Sequence, residues 1–425
     1  MQPSVPPPVN AGSGGLRAAW AGAGLAGRLA MAGLFVLPAL VVATPQNLLP
    51  FGLLLLASSV LAAPALLRAA VPGRLLATLA GLATLQIALV ALSVWQAGLG
   101  WRELDNLSRM LVIPWCLVWV YALRPPQPLL WWGALAGIGG ALVLAVAQVL
   151  AGAERASGWI NAIVLADLTV VLLVLVVWCR PPRRVPLVLA AALAAAVVVV
   201  LSGSRGVWPA LALVLLAGAL CGRQQGLRRR LLALGTLAVL ALVALIASPG
   251  LREQVRLDEL QRDLQRLQQG DADSSAGARV ERLHIAWQAF ADAPWHGVGV
   301  GQFDRAMQRL PACSGQGGTA KRCRLGHAHN DLAEWSATRG LPGLLALLLI
   351  YGVPLWVFAR LWARAGRPLL GPAVAGMAVV GVYMVCGLTQ SMFAHQTTAG
   401  LYACLVGILA GLAGQRLPEG AGRRS

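Results

Sequence analysis

Long apolar runs separated by short polar connections dominate this chain from residue 20 to residue 413. Many runs hold about 20 residues, the length that a helix needs to cross the hydrocarbon core of a bilayer. The pattern therefore predicts an all-α polytopic membrane protein. We expect about 12 transmembrane helices, near residues 27–44, 48–67, 75–95, 108–123, 129–150, 158–179, 186–201, 206–222, 231–248, 341–360, 369–389 and 393–413.

One connection, residues 249–340, is far longer than the rest and mostly polar. A first amphipathic helix is indicated by leucines at helical spacing, at Leu257, Leu260, Leu264 and Leu267. A second helix is predicted over 280–291. A third opens near Asn330 or Asp331, with Glu334 completing a capping-box pattern, and bends at a Gly-Pro-Gly cluster before the tenth predicted span. We expect one large, mostly helical loop.

The formal net charge of +18 comes almost entirely from arginine, and its placement is more informative than its sign. Arginines concentrate in alternate connections, for example at 180–184 and 223–230. The positive-inside rule assigns these connections and both termini to the cytoplasm, which leaves the 249–340 loop outside, in a compartment such as the periplasm. The charge is thus a topology signal, and we expect no nucleic-acid partner.

These patterns divide the chain into five parts. They are a disordered cytoplasmic N-terminal tail (1–19), transmembrane helices one to nine (20–248), a periplasmic loop domain (249–340), transmembrane helices ten to twelve (341–413) and a cytoplasmic C-terminal tail (414–425).

Two of the seven cysteines, Cys313 and Cys323, lie in the external loop. An oxidising exterior would allow them to form a disulfide, although two unpaired thiols are the alternative. The glycine-rich GVGVG at 297–301 follows no strand and lies in no βαβ unit, so we interpret it as a backbone turn and expect no nucleotide.

Five external arginines are candidates for anion binding. Arg205 lies between two apolar runs, where an unpaired guanidinium is costly. There are two alternatives for its side chain. Either it reaches lipid headgroups, or it binds an anion such as phosphate, whose oxygens suit the planar guanidinium fork. Arg279 and Arg282 on the second loop helix are either solvated charges or further cations for the same anion. Arg109 and Arg155, at external ends of spans, contact either phosphate or lipid headgroups.

The HAHND run contains His327 and His329, followed by Asn330. Imidazole exchanges protons near neutral pH, so one of these histidines is a candidate general base, with ordinary polar loop residues as the alternative. A metal site is less favoured because Zn²⁺ requires a third or fourth ligand. The other external histidines belong to no obvious motif: His284, His296 and His395.

These motifs resemble those of the O-antigen ligase and polymerase superfamily of bacterial inner-membrane glycosyltransferases. The similarity consists of SRGVW from Ser204, Arg279 followed by PWHGVG from Pro294, and HAHND from His327, in that order around one long external loop. It covers roughly residues 200–350, while the other spans match the family only in number and order.

The resemblance implies an O-antigen ligase of lipopolysaccharide biosynthesis in the inner membrane of a Gram-negative bacterium. Such an enzyme transfers polysaccharide from undecaprenyl diphosphate to lipid A-core oligosaccharide on the periplasmic face, among membrane lipids. Arg205 and Arg279 would hold the diphosphate, and His329 would be the general base with His327 as second candidate. Weaker candidates for donor or acceptor contacts are Arg282, Asn330, Arg109 and Arg155. Transfer would proceed in one inverting step, without nucleotide, metal or other cofactor.

Three other functions remain open at this stage. An O-antigen polymerase would use the same donor with a second lipid-linked glycan as acceptor, and a protein O-oligosaccharyltransferase would glycosylate a protein. A lipid-linked glycan flippase or transporter would place its charged sites near the membrane midplane, often in repeated halves. Here the candidate residues gather on one external face.

Overall fold

The computed structural model describes residues 13–220, 265, 275–310, 313, 323 and 326–416. All regular elements in those ranges are helical. The α-helices are α1 (Ser13–Gly22), α2 (Leu25–Leu40), α3 (Leu49–Leu61), α4 (Ala63–Leu67), α5 (Gly73–Gln96), α6 (Asp105–Ser108), α7 (Val112–Leu123), α8 (Pro128–Leu150), α9 (Ala162–Trp178), α10 (Val185–Leu201), α11 (Trp208–Leu220), α12 (Ser275–Asp292), α13 (Phe303–Met307), α14 (Asp331–Arg364), α15 (Pro372–Gly387) and α16 (Gln396–Gly414).

The described helices form a multi-pass membrane protein. Five are long and apolar enough to cross a membrane: Gly73–Gln96, Trp101–Leu123, Pro128–Leu150, Asp331–Arg364 and Gln396–Gly414. Shorter apolar helices account for the other predicted spans within the described ranges. The ninth predicted span, 231–248, and the leucine-patterned helix of the loop lie outside the described residues, so the count of twelve stays a prediction.

Helix α9 lies at the centre of the bundle and is buried on all sides. It packs against α8, α10, α11 and α15. Apart from the buried Asp167 and Thr169, its sequence is apolar around the whole helix, as expected of a segment with no face toward solvent. Asn161 begins it by accepting a hydrogen bond from the Val164 amide at 2.9 Å.

Helix α14 begins at Asp331 and bends at Gly340, as the sequence predicted. Asn330 caps it by accepting a hydrogen bond from the Ala333 amide at 3.0 Å. The predicted capping box differs in detail, because Glu334 accepts its bond from the Ala328 amide at 2.7 Å instead of from the cap residue. Gly340 breaks the helix with φ 63° and ψ −152°.

The turn at 294–301 closes over this bend. Pro342 has no N–H, so it cannot pair with the carbonyl of Thr338 one turn earlier. The amide of Gly299 donates to that carbonyl at 3.0 Å, and the amide of Val298 donates to the carbonyl of Ala337 at 2.9 Å. The glycine-rich stretch is therefore a backbone turn, as predicted, and it satisfies the carbonyls that the bend releases.

Two further expectations concern the N-terminus and the loop. The stretch 1–19 was expected to be disordered, but α1 covers its last residues, because Leu16 and Trp20 lie one turn apart and share an apolar pocket with Met31. In the loop, Cys313 and Cys323 form a disulfide with their Cα atoms 5.5 Å apart.

Candidate active site

Four arginines and one histidine from separate parts of the chain line one pocket of about 210 Å³. Arg155 lies in the α8–α9 connection, Arg205 on the 3-10 turn before α11, Arg279 and Arg282 one turn apart on α12, and His329 just before α14. Among the described residues that line it, none is acidic. Clustered guanidinium groups with no lining carboxylate have the chemistry to bind a multiply charged anion.

The turn that presents Arg205 is held by hydrogen bonds to Ser204, the first residue of its motif, and to the backbone of Ser202. Ser204 donates its hydroxyl to the carbonyl of Ala162 at 3.0 Å, which joins the turn to the start of α9. Arg155 donates from Nε to the Ser202 carbonyl at 2.8 Å and from Nη2 to the Ser204 hydroxyl at 3.3 Å. Arg155 thus supports the Arg205 turn as well as lining the pocket.

Helix α12 brings the second pair of cations. Arg282 is only 7% exposed, and its Nε has no hydrogen-bond partner among the described residues. Burial lowers the pKa of Arg282, the nearby charge of Arg279 lowers it further, and Glu281 opposes the change. A bound anion would relieve both the burial cost and the repulsion between the two arginines.

His329 stands between these cations and α14 in an unusual backbone conformation. Its φ of 54° is left-handed, which is costly for a residue other than glycine and persists only where the surroundings fix it. Its Nδ1 lies 2.7 Å from Oε1 of Gln390, in the connection between α15 and α16. The next residue, Asn330, is fixed by two hydrogen bonds. Its side chain caps α14, and its Nδ2 donates to the Leu388 carbonyl at 3.0 Å.

Three imidazole rings meet at this point. The ring of His327 lies 4.5 Å from that of His329 and 5.0 Å from that of His395, centroid to centroid. His395 had been assigned to no motif, and the structure brings it to the HAHND run from more than 60 residues away. In the described part of the chain, no group of three or more His, Cys, Asp or Glu side chains has a metal-binding arrangement.

All three rings are buried enough to disfavour protonation. Burial lowers the pKa of His327 to about 3, and the neighbouring His329, His395 and Arg282 add to the effect. Burial also lowers the pKa of His329 to about 4; the hydrogen bond with Gln390 opposes this, while the charges of Arg282 and Arg279 reinforce it. The imidazole of His329 is therefore neutral at pH 7 and able to accept a proton.

Other predicted residues lie outside the pocket lining. His327 contacts His329 and His395. Both polar ends of the Asn330 side chain form hydrogen bonds within the protein. Arg109 packs against Gly400 of α16 and is not among the residues that line the pocket. The structure thus gathers Arg155, Arg205, Arg279, Arg282 and His329, and separates Arg109 from them.

The segment 388–395, between α15 and α16, was missed by the sequence reasoning. It contributes Thr389 to the pocket lining, Gln390 to His329 and His395 to His327. Asp331 anchors the segment by accepting hydrogen bonds from the backbone of Met392 and Phe393. The only sequence signal was a short polar TQS between two apolar runs, which has the form of an ordinary connection.

Comparison with known proteins accords with this geometry. Residues 190–348 match the family described as O-antigen ligase, a region that includes the Arg205 turn, α12 and His329. The chain is also 25% identical over 198 residues to an uncharacterized protein of Haemophilus influenzae, covering 46% of this chain. That similarity spans about half of the relative's length, 49%. The similarity to the O-antigen ligase family thus lies in the part of the chain that supplies Arg205, Arg279, Arg282 and His329 to the pocket.

Proposed function

We propose that this protein is an O-antigen ligase, which transfers polysaccharide from undecaprenyl diphosphate to lipid A-core oligosaccharide. The observation that carries the proposal is the meeting of four arginines and one neutral histidine at a single pocket. The proposal includes the topology inferred from the arginines. Both termini lie in the cytoplasm, and residues 249–340 form a loop domain on the periplasmic face of the inner membrane.

The arginines bind the diphosphate of the donor and stabilise it as it leaves. When the bond between the anomeric carbon and the diphosphate oxygen breaks, negative charge accumulates on that oxygen. Arg205 and Arg279 carry this role, with Arg282 and Arg155 at the same pocket. One fixed donor aimed at developing charge contributes about 3 to 4 kcal/mol to catalysis. The guanidinium groups supply the positive charge, so we expect transfer to need no divalent ion.

His329 activates the acceptor. As the hydroxyl oxygen of the lipid A-core sugar attacks the anomeric carbon, its proton passes to the imidazole, and the diphosphate departs from the opposite face with inversion. A positioned base accelerates such a step by about 10² to 10⁴. Because an anion beside Arg279 and Arg282 offsets their charge, donor binding raises the pKa of His329 from its low value and makes the imidazole a better base.

The acceptor distinguishes this function from its closest alternatives. An O-antigen polymerase or a protein O-oligosaccharyltransferase would use the same cations and the same base. A flippase would require its charged site to be reachable from both sides of the membrane. The arginines and His329 instead lie on connections between helices and on α12, and they line one pocket.

The proposal is tested by transfer in vitro. Purified full-length protein is mixed with undecaprenyl-diphosphate glycan and lipid A-core in the presence of EDTA, and wild type is compared with His329→Ala. We expect transfer by wild type and its loss in the variant, while His284→Ala, which changes an exposed histidine of α12, transfers normally. Chain growth on the lipid-linked donor without transfer to lipid A-core would instead identify a polymerase. Transfer that requires added Mg²⁺ would contradict the metal-independent mechanism.

A further inference from the structure

The contact between Gln390 and His329 determines which ring nitrogen carries the proton. Gln390 is 1% exposed, and its Oε1 accepts a hydrogen bond from the Ser391 amide at 3.1 Å. Because an amide N–H only donates, the Gln390 atom that faces it is the carbonyl oxygen rather than the NH₂ group. That same oxygen lies 2.7 Å from Nδ1 of His329. Nδ1 must therefore be the donor.

A neutral imidazole has one N–H and one lone-pair nitrogen. With the proton on Nδ1, the lone pair belongs to Nε2, and only that nitrogen can take a proton from an attacking hydroxyl. In the other tautomer, Nε2 would carry the hydrogen and could not act as a base. The partner of Nδ1 therefore decides whether the histidine is ready for reaction.

The two residues just before Gln390 are each held by a hydrogen bond. The residue two positions earlier, Leu388, accepts a hydrogen bond from Nδ2 of Asn330 at 3.0 Å. Thr389 donates to the carbonyl of Gly206 at 3.3 Å. The amide oxygen is thus aimed at the ring by contacts with the histidine motif and with the Arg205 turn. A side chain fixed in this way can impose one orientation and one tautomer on its partner.

We propose that Gln390 is the positioning residue that holds the proton of neutral His329 on Nδ1 and leaves Nε2 as the base. This inference rests on the proposed function, since it assigns the atom that receives the acceptor proton. A neutral amide is suited to this pocket. A carboxylate at the same position would orient the ring equally well, but it would offset part of the positive charge that binds the diphosphate.

Three variants of the full-length protein test the role of Gln390. Gln390→Leu removes the acceptor, so we expect kcat to fall by about 10- to 100-fold with the KM for the donor unchanged. Gln390→Glu restores an acceptor and should retain kcat within about tenfold. Its carboxylate stabilises the imidazolium, so the acid limb of its pH profile should move to higher pH. Gln96→Leu, an exposed glutamine at the end of α5, is the matched control and should leave kcat unchanged.

A second readout does not depend on transfer. The chain has only five histidines, so ¹⁵N-histidine labelling gives a small set of ring signals, and His329→Ala identifies those of His329. Wild type should show a protonated Nδ1 and an unprotonated Nε2, and Gln390→Leu should show a mixture of tautomers. An unchanged spectrum together with wild-type kcat in Gln390→Leu would overturn the assignment. If wild type transfers no glycan, the proposed function fails, and the spectrum alone decides whether Gln390 sets the tautomer.

Discussion

Thr389 donates its hydroxyl to the carbonyl oxygen of Gly206, with 3.3 Å between the two oxygens. The residues are far apart in sequence, and the contact joins the segment 388–395 to the turn that presents Arg205. A β-carbon at residue 206 would lie 2.7 Å from the Thr389 hydroxyl oxygen and 2.9 Å from its β-carbon. Glycine is therefore required for this approach, which sets the distance between the arginine and histidine sides of the pocket.

Gly206→Ala should separate these two sides. A displacement of about 1 Å at a reacting centre can cost about 100-fold in rate, so we expect transfer to fall by about that factor while the protein still inserts and folds. Gly81→Ala is the control, because a β-carbon there meets no atom within 4 Å. Equal transfer rates in the two variants would show that the contact is unimportant for catalysis.

Arg205→Ala and Arg279→Ala should each reduce transfer by about 10²- to 10³-fold, which corresponds to the loss of one charge-stabilising group. Lysine at either position should recover little activity, because it lacks the planar fork that donates two parallel hydrogen bonds. The rates are measured at saturating donor, with Arg102→Ala, an exposed arginine of the α5–α7 connection, as control. Full activity of Arg205→Ala at normal expression would remove the diphosphate site.

The pH dependence of transfer should report His329. Its pKa is lowered to about 4 in the free protein, so the ring is neutral above that pH and becomes protonated as the pH falls through it. The acid limb of kcat/KM should therefore lie near pH 4. The limb of kcat, which reports the donor complex, should lie at higher pH because the bound diphosphate favours the imidazolium.

These profiles are recorded for wild type and for His284→Ala, which should be superimposable, with thermal melting measured at each pH to exclude unfolding. Coincident limbs for kcat and kcat/KM would mean that donor binding leaves the histidine unaffected, contrary to the proposed coupling.

The disulfide predicts a definite thiol count. The chain has seven cysteines, and the pairing of Cys313 with Cys323 leaves five. Denatured, non-reduced protein should therefore react with five equivalents of a thiol reagent, and reduced protein with seven. A loop of this length stabilises the folded state by about 2 to 3 kcal/mol, so Cys313→Ser should melt at a lower temperature. Seven reactive thiols without reductant would contradict the pairing.

The helices and the arginine and HAHND motifs were predictable because their signals are local. An apolar run can be recognised from its own residues, and Arg205 is conspicuous because a charge between two apolar runs is costly. The capping of α14 by Asn330 and the bend at Gly340 were readable for the same reason, since both depend on neighbours within a turn or two.

The partners supplied by the segment 388–395 were not predictable in this way. Gln390 and His395 have roles only because α15 and α16 return to the same end of the bundle as His329. A polar residue between two spans gives no periodic signal, and nothing in its neighbourhood specifies a contact some 60 residues away. The support of Arg205 by Arg155 is non-local too, and sequence reasoning could identify Arg155 only as one more external arginine.

The closure of the 294–301 turn over the bend in α14 has a consequence for membrane depth. Irregular backbone is tolerated within a bilayer only where protein or water covers its polar groups. The amides of Val298 and Gly299 cover the released carbonyls, so the bend need not rise clear of the lipid. Under the proposed function, His329, about three turns before the bend, would then work near the headgroups, at the level of the diphosphate of a lipid-linked donor. The donor would react without being lifted out of its leaflet.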